Sequence, residues 1–173
     1  MNVVLLSGGW DSVYCLTRAI QESKVAPLCV FFRYGQPYLK EEEQAVARLQ
    51  EHLGDRILAT VWTDLPDVAR DGKVFADRNE TFIKCATHHY GGREADTVYF
   101  GCRNPFQFFD EYGDSNWQFG KRMAKKYGIT VKMPCVLLPK FVIRNRVFRF
   151  GITKDMIFSS EGYQYAVHSD QKD

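Results

Sequence analysis

At 173 residues the chain has the length of a single domain, and a 45% share of hydrophobic residues is ample for one core. A formal charge of only +2 argues against bulk attraction to DNA or an anionic membrane, though it leaves room for a local basic cluster. The five cysteines (Cys15, Cys29, Cys85, Cys102, Cys135) are scattered and never form a CxxC pair. That is a poor disulfide framework and a poor zinc site, and it suits a reducing cytosol.

The apolar run Val3–Leu6 predicts a short buried strand and is too short for a signal peptide or a membrane span, so a cytoplasmic, soluble protein is expected. Ser12–Glu22 predicts a helix, with Val13, Leu16 and Ile20 on one face. Leu28–Phe32 is a second strand. Glu41–Leu53 follows as a helix with Val46, Leu49 and Leu53 on its stripe and Gly54 at its end. Ile57–Trp62 is a third strand, and residues 63–77 read as an exposed loop. Asn79–Tyr90 is helical, closed by Gly91-Gly92, and Thr97–Gly101 is a fourth strand. A long loop runs to Asp114. Ser115–Tyr127 is a helix closed by Gly128, Thr130–Met133 a fifth strand, and Lys140–Arg149 a last helix.

Strand alternating with helix at this rhythm implies an α/β fold, a five-stranded parallel sheet with helices on both faces. In such sheets ligands bind beyond the carboxyl ends of the strands. Ser7, Arg33, Cys102 and Pro134 each follow a strand, so their loops should converge there. One domain over residues 1–163 is expected, with a polar tail at 164–173.

The stretch "LLSGGWDS" places two glycines between a strand and a helix, which lets backbone N–H groups and the helix N-terminus face an anion. Neither GxxxxGK[ST] nor GxGxxG nor GxSxG is present. A capped turn without a ligand, with Asp11 capping a helix from Ser12, is the plainer alternative.

SGGxDS in this position resembles the pyrophosphate loop of the PP-loop ATPases, which have a Rossmann-like, adenine nucleotide alpha-hydrolase-like fold and split ATP between its α and β phosphates. Four further stretches resemble elements of the 7-cyano-7-deazaguanine synthases within that superfamily. "FFRYGQPY" (Phe31–Tyr38) is similar to their DYGQ element and "FADRNETF" (Phe75–Phe82) to PGRN. "EYGDSNWQF" (Glu111–Phe119) is similar to YPDCR, and "MPCVLLPK" (Met133–Lys140) to the segment that brings a lysine to the phosphates. They occur in family order over roughly residues 2 to 163.

The resemblance implies adenylation of the carboxylate of 7-carboxy-7-deazaguanine, amide formation with ammonia, and a second activation that yields the nitrile. AMP and pyrophosphate are released. It implies ATP held by Leu6, Ser7, Gly8, Gly9, Trp10, Asp11, Ser12, Phe31 and Lys140, with Mg²⁺ shared between Asp11 and phosphate oxygens. Asp11, Lys140 and Arg78 form the expected catalytic set. Arg78 and Asn79 would contact substrate or phosphate, Tyr34 and Gln36 would stack on and hydrogen-bond the deazaguanine, and Asp114 would read its guanine-like edge. Each has a plainer alternative: Asn79 or Asp114 as a helix cap, Arg78 as a solvated neighbour, Tyr34 and Gln36 as a strand-end turn. His88–His89 reads as a helix surface pair.

Departures from the family pattern are also visible. The resemblance implies a zinc held by four cysteines near the substrate site, whereas "FSSEGYQYAVHSDQKD" has none, so no zinc site is expected. Arg33 replaces the acid of DYGQ, and Pro139 the acid before Lys140. These changes leave the ATP half intact and keep two alternatives open: a related adenylating enzyme with another substrate, nucleic acid or protein included, or an ATP-binding module without turnover. Retention of Asp11, Lys140 and Arg78 argues against the second. "KFVIRNRVFR" carries four basic residues with interleaved aromatics, which keeps a nucleic acid open, against the plainer reading of an amphipathic helix with a solvated basic face. A homodimer is compatible with the 14% aromatic content. Phe106, Phe108 and Phe109 are read as either a lid or core.

Overall fold

The structure, a computed structural model, describes residues 1–65, 78–87, 95–102 and 116–159. His88–His89, Gly91-Gly92, Phe106, Phe108, Phe109, Asp114 and the tail at 164–173 lie outside the described residues. The elements in order are β1 (Asn2–Leu5), α1 (Trp10–Glu22), β2 (Leu28–Arg33), α2 (Leu39–Leu53) and β3 (Ala59–Asp64). There follow α3 (Arg78–Thr87), β4 (Thr97–Tyr99), α4 (Asn116–Tyr127), β5 (Thr130–Lys132) and α5 (Lys140–Arg149).

All strand pairings are parallel, in the order β3-β2-β1-β4-β5. The expected five-stranded parallel sheet is therefore present. Its two faces follow from the period-2 alternation of strand side chains. Val4, Cys29, Phe31 and Tyr99 pack with residues of α1, α2 and α5. Val3, Leu5, Leu28, Val30, Phe32 and Val98 pack on the other side with residues of α3 and α4. Burial of both faces explains why the strands read as continuous apolar runs.

Several predicted bounds moved: α2 begins at Leu39 instead of Glu41, β4 ends at Tyr99 instead of Gly101, and two further shifts bear on the site. The third strand starts at Ala59 instead of Ile57, because a 3-10 turn over Gly54–Arg56 intervenes and the buried Ile57 side chain joins the core before pairing begins. The first helix begins at Trp10, with Gly9 as its N-cap and no side-chain cap. Asp11 therefore lies inside the first turn, and capping from Asp11 is ruled out. Burial on α1 also exceeds the predicted stripe: Tyr14, Cys15 and Thr17 are buried because α5 packs across the helix. No helix among the described residues is long and apolar enough to cross a membrane.

Candidate active site

Strand order reverses at β1, whose neighbours are β2 and β4, and a crevice is expected beyond the carboxyl ends of these strands. A cavity of about 420 Å³ occupies that place, walled by Leu5–Ser7 after β1, Phe32 and Tyr34 at the end of β2, and Phe100–Cys102 after β4. A second pocket of about 260 Å³ adjoins it and contains Gly9, Trp10, Lys140 and Phe158. Ser7, Asp11, Ser12, Glu42 and Gly101 line both. The loop from Ser7 to Ser12 is thus the partition between two concavities.

The loop is held from within and from behind. Ser7 donates its backbone N–H and its hydroxyl to Ser12 Oγ, both at 3.2 Å, and Ser12 Oγ donates to the Gly9 carbonyl at 2.9 Å. The Phe158 N–H donates to the Gly8 carbonyl at 3.0 Å, so a distant segment clasps the turn. Gly8 has φ +78, and a Cβ there would stand 2.9 Å from the Ala45 Cβ, so both the conformation and the contact with α2 require glycine. No side chain caps α1, so the partial positive charge of the helix N-terminus stands at the loop.

Of the residues singled out in the sequence, Leu6, Ser7, Asp11, Ser12, Phe31, Tyr34, Gln36, Arg78 and Asn79 come together in the larger cavity. Gly9, Trp10 and Lys140 stand in the smaller one. Gly8 is buried behind the loop. Asn79 is the second residue of α3 and so does not cap it. Gln36 is buried and spends its amide on the chain: Nε2 donates to the Phe32 carbonyl at 2.9 Å and to Glu42 Oε2 at 3.0 Å, and Oε1 accepts from the Tyr34 N–H at 2.9 Å. It braces Tyr34 and Glu42 at the cavity wall.

Arg78 lies 5.9 Å from the centroids of both Tyr34 and Phe82, and Phe82 stacks on Phe32 at 4.5 Å. The guanidinium is thereby set among aromatic faces, where a cation is attracted. Its buried Nε–H has no acceptor among the described residues. A buried donor in that condition costs about 1–3 kcal/mol unless something completes it. Arg33, which departs from the family's acid, points its charge elsewhere: it pairs with Glu43 at 2.6 Å and Asp64 at 3.4 Å, over the Trp62 ring.

Two contributors, Glu42 and Gly101, were not singled out by the sequence, and a third, Cys102, stands where its place after a strand put it. Glu42 is one of three consecutive acids at the start of α2, and nothing local separates it from Glu41 and Glu43. Burial pushes its carboxyl above the usual range, while the Gln36 hydrogen bond and the Arg78 charge pull the other way and the Glu41 charge adds to the rise. Gly101 abuts the backbone of Ser12. Cys102 lines the cavity, and burial drives its thiol far above the ordinary value, so it walls the site as a neutral group. Cys135 donates to the Cys102 carbonyl at 3.0 Å.

The raised Glu42 value means that the folded chain holds this proton more tightly than the unfolded chain. Its contribution to stability is full below the ordinary carboxyl range and is lost as pH rises through the raised value. Glu42→Gln keeps an acceptor for Gln36 without the charge. Thermal melts are expected to show the variant more stable than the parent at pH 8, with the gap closing toward pH 4. A gap independent of pH would mean that Glu42 titrates normally.

Among the described residues, no group of three or more His, Cys, Asp or Glu side chains is placed to hold a metal ion.

Against known proteins, residues 1–70 match the family model described as queuosine biosynthesis protein QueC. That span holds the loop, Tyr34, Gln36 and Glu42. The chain is also 29% identical over 167 residues to "7-cyano-7-deazaguanine synthase 2" of Desulfitobacterium hafniense strain Y51, covering 80% of this chain and 70% of that protein. The chain is thus similar to these proteins, over its first 70 residues to the family and over most of its length to the synthase. A second relative, the 7-cyano-7-deazaguanine synthase of Desulfitobacterium hafniense strain DSM 10664 / DCB-2, matches at the same identity and coverage. Among solved structures, one described as a predicted subunit of tRNA methyltransferase from Methanocaldococcus jannaschii superposes with a TM-score of 0.56 at 14% identity. It covers 86% of this chain and 74% of that one, a likeness of fold alone. The part of the chain that matches the family model contains β1 and the loop that follows it.

Proposed function

We propose that this chain is an ATP-dependent, AMP-forming enzyme that activates the carboxylate of 7-carboxy-7-deazaguanine and converts it with ammonia to the amide and the nitrile. One observation carries the reading: the buried Nε–H of Arg78 lacks an acceptor among the described residues, in the cavity that the Ser7–Ser12 loop also lines. A carboxylate or phosphate oxygen would complete that donor, and a flat ring would pack against the Tyr34 and Phe82 pair, whose ring centroids stand 5.3 Å apart along the cavity wall.

The uncapped α1 N-terminus, the Ser7 and Ser12 hydroxyls and Lys140 are suited to hold the phosphates, and Asp11 to share Mg²⁺ with their oxygens. The metal would supply charge neutralisation on the phosphates when bound. Arg78 and Tyr34 would orient the carboxylate toward the α-phosphate, and alignment of two bound reactants accounts for much of the acceleration in such transfers. Ammonia is the nucleophile, so no side-chain nucleophile is required, in keeping with the neutral Cys102 thiol. Glu42 stands where the two pockets meet and is suited to accept a proton from the attacking nitrogen.

Incubation with ATP, Mg²⁺, ammonium and 7-carboxy-7-deazaguanine, read by mass spectrometry, tests the proposal. AMP together with the nitrile is the expected result. AMP without nitrile would point to a different carboxylate, and bound ATP with neither product would favour a non-catalytic module.

A further inference from the structure

The four basic residues of α5 do not share one solvated face. Lys140 enters the smaller nucleotide-side pocket, and Arg144 lies over the Trp10 ring at 5.3 Å. Arg146 and Arg149 line a different surface. There, a groove of about 770 Å³ beside the edge strand β5 continues into a hollow of about 300 Å³ between α1 and α5, the two sharing Tyr14, Arg18 and Arg146. None of these three residues lines either pocket of the candidate active site.

Charge is concentrated on this surface. Among the described residues its lining has five basic side chains (Arg18, Lys121, Lys132, Arg146, Arg149) against one acid, Glu22, while the whole chain has a net charge of only +2. Glu22 is already covered: it accepts from Arg18 at 2.5 Å, from the Tyr99 hydroxyl at 3.0 Å and from Lys132 at 2.8 Å. Arg146 is held by a neutral partner, donating to the Tyr14 hydroxyl at 2.6 Å, and so keeps its full charge in the groove. Arg149 has no acidic partner among the described residues. The groove has an apolar part as well, with Ala124, Val131, Pro134 and Leu138. Trp117 lines it while 47% exposed, with Lys121 Nζ 5.5 Å from its ring.

Guanidinium groups flanking an apolar trough with an exposed indole match a strand whose phosphates are paired along the wall and whose bases stack inside. We propose that this groove binds single-stranded nucleic acid, independently of the chemistry at the nucleotide loop. A duplex would offer no unstacked base to Trp117. A membrane surface would meet a concave groove where a protruding apolar tip is needed. An acidic peptide would leave the indole without a planar partner.

Fluorescence anisotropy of the full chain with labelled 12-nucleotide RNA and DNA strands tests the proposal. Binding is expected at 50 mM salt, weakening as salt rises with a log–log slope of about −0.7 per phosphate contacted. Arg146→Glu with Arg149→Glu should weaken it at least about tenfold and flatten that slope, since two phosphate contacts are lost. Trp117→Ala should weaken it about tenfold while leaving the slope unchanged, because stacking is not ionic. Circular dichroism should show every variant folded, and any AMP formation by the parent should persist in all of them. No binding at 50 mM salt would overturn the proposal, as would binding indifferent to both variants. Displacement of the strand by ATP would place it at the nucleotide loop instead. Capture of only phosphatidylserine vesicles or a poly-glutamate peptide would assign the groove to another partner.

Discussion

Asp11→Ala is expected to reduce AMP formation by about a hundredfold or more while leaving the protein folded. Removal of one preorganised charge-stabilising group at a transfer site typically costs 10²–10³ in rate. Asp11 lines both pockets beside the Ser7 and Ser12 hydroxyls, where phosphates and their metal ion would meet. The structural cost should be small. Asp11 is the second residue of α1 and Gly9 is the N-cap, so no helix cap is removed, and the favourable dipole interaction that is lost is worth about 0.3–1 kcal/mol. Asp11→Asn separates charge from shape: equal loss in both variants would assign the effect to the carboxylate's charge. Measurement needs AMP quantified at saturating ATP, with thermal melts alongside. Unchanged turnover in the alanine variant would reduce Asp11 to a first-turn acid with an electrostatic role in the helix.

The strands and helices that place this site were legible because each carries its own period. The helix predicted over Lys140–Arg149 has the observed bounds, and β1, β2, β4 and β5 lie within a residue or two of their predicted ends. The loop was legible for the same reason, since its glycines and serines are contiguous. What could not be read locally is what depends on strand order and on neighbours distant in sequence. Glu42 differs from Glu41 and Glu43 only in meeting Gln36 and the cavity. Arg33 looked like a change at the substrate site, yet its partners Glu43 and Asp64 draw it away. The basic residues of α5 looked like one face and divide among different surroundings, Lys140 in the pocket beside the loop, Arg144 over the Trp10 ring, and Arg146 on the Tyr14 hydroxyl of α1. Gln36 was read as a contact for substrate, but the Phe32 carbonyl and the Tyr34 N–H that occupy its amide belong to the turn itself.

The same dependence on distant neighbours makes Gly101→Ala the most informative structural substitution. A Cβ at this position would stand 2.8 Å from the Ser12 nitrogen, 2.9 Å from the Asp11 carbonyl carbon and 3.0 Å from the Ser12 Cα. All three are backbone atoms of the first turn of α1, so no side chain can swing aside. Either α1 shifts away or the end of β4 does. Overpacking of this kind costs about 1–3 kcal/mol, read as a fall of several degrees in Tm for a chain of this size. The functional cost should be larger, because the displaced atoms are those of Asp11 and Ser12, and a misplacement near 1 Å can cost about a hundredfold in rate. Gly120→Ala is the control. Its Cβ would meet the terminal methyl and sulfur of Met133, a flexible side chain that can rotate away. Alanine is also favoured over glycine inside a helix by roughly 0.5–1 kcal/mol, so this variant should keep the parent's stability and turnover. A Gly101→Ala protein with the parent's Tm and AMP formation would mean that β4 and the loop are not in register as described, and that the cavity owes nothing to their close approach.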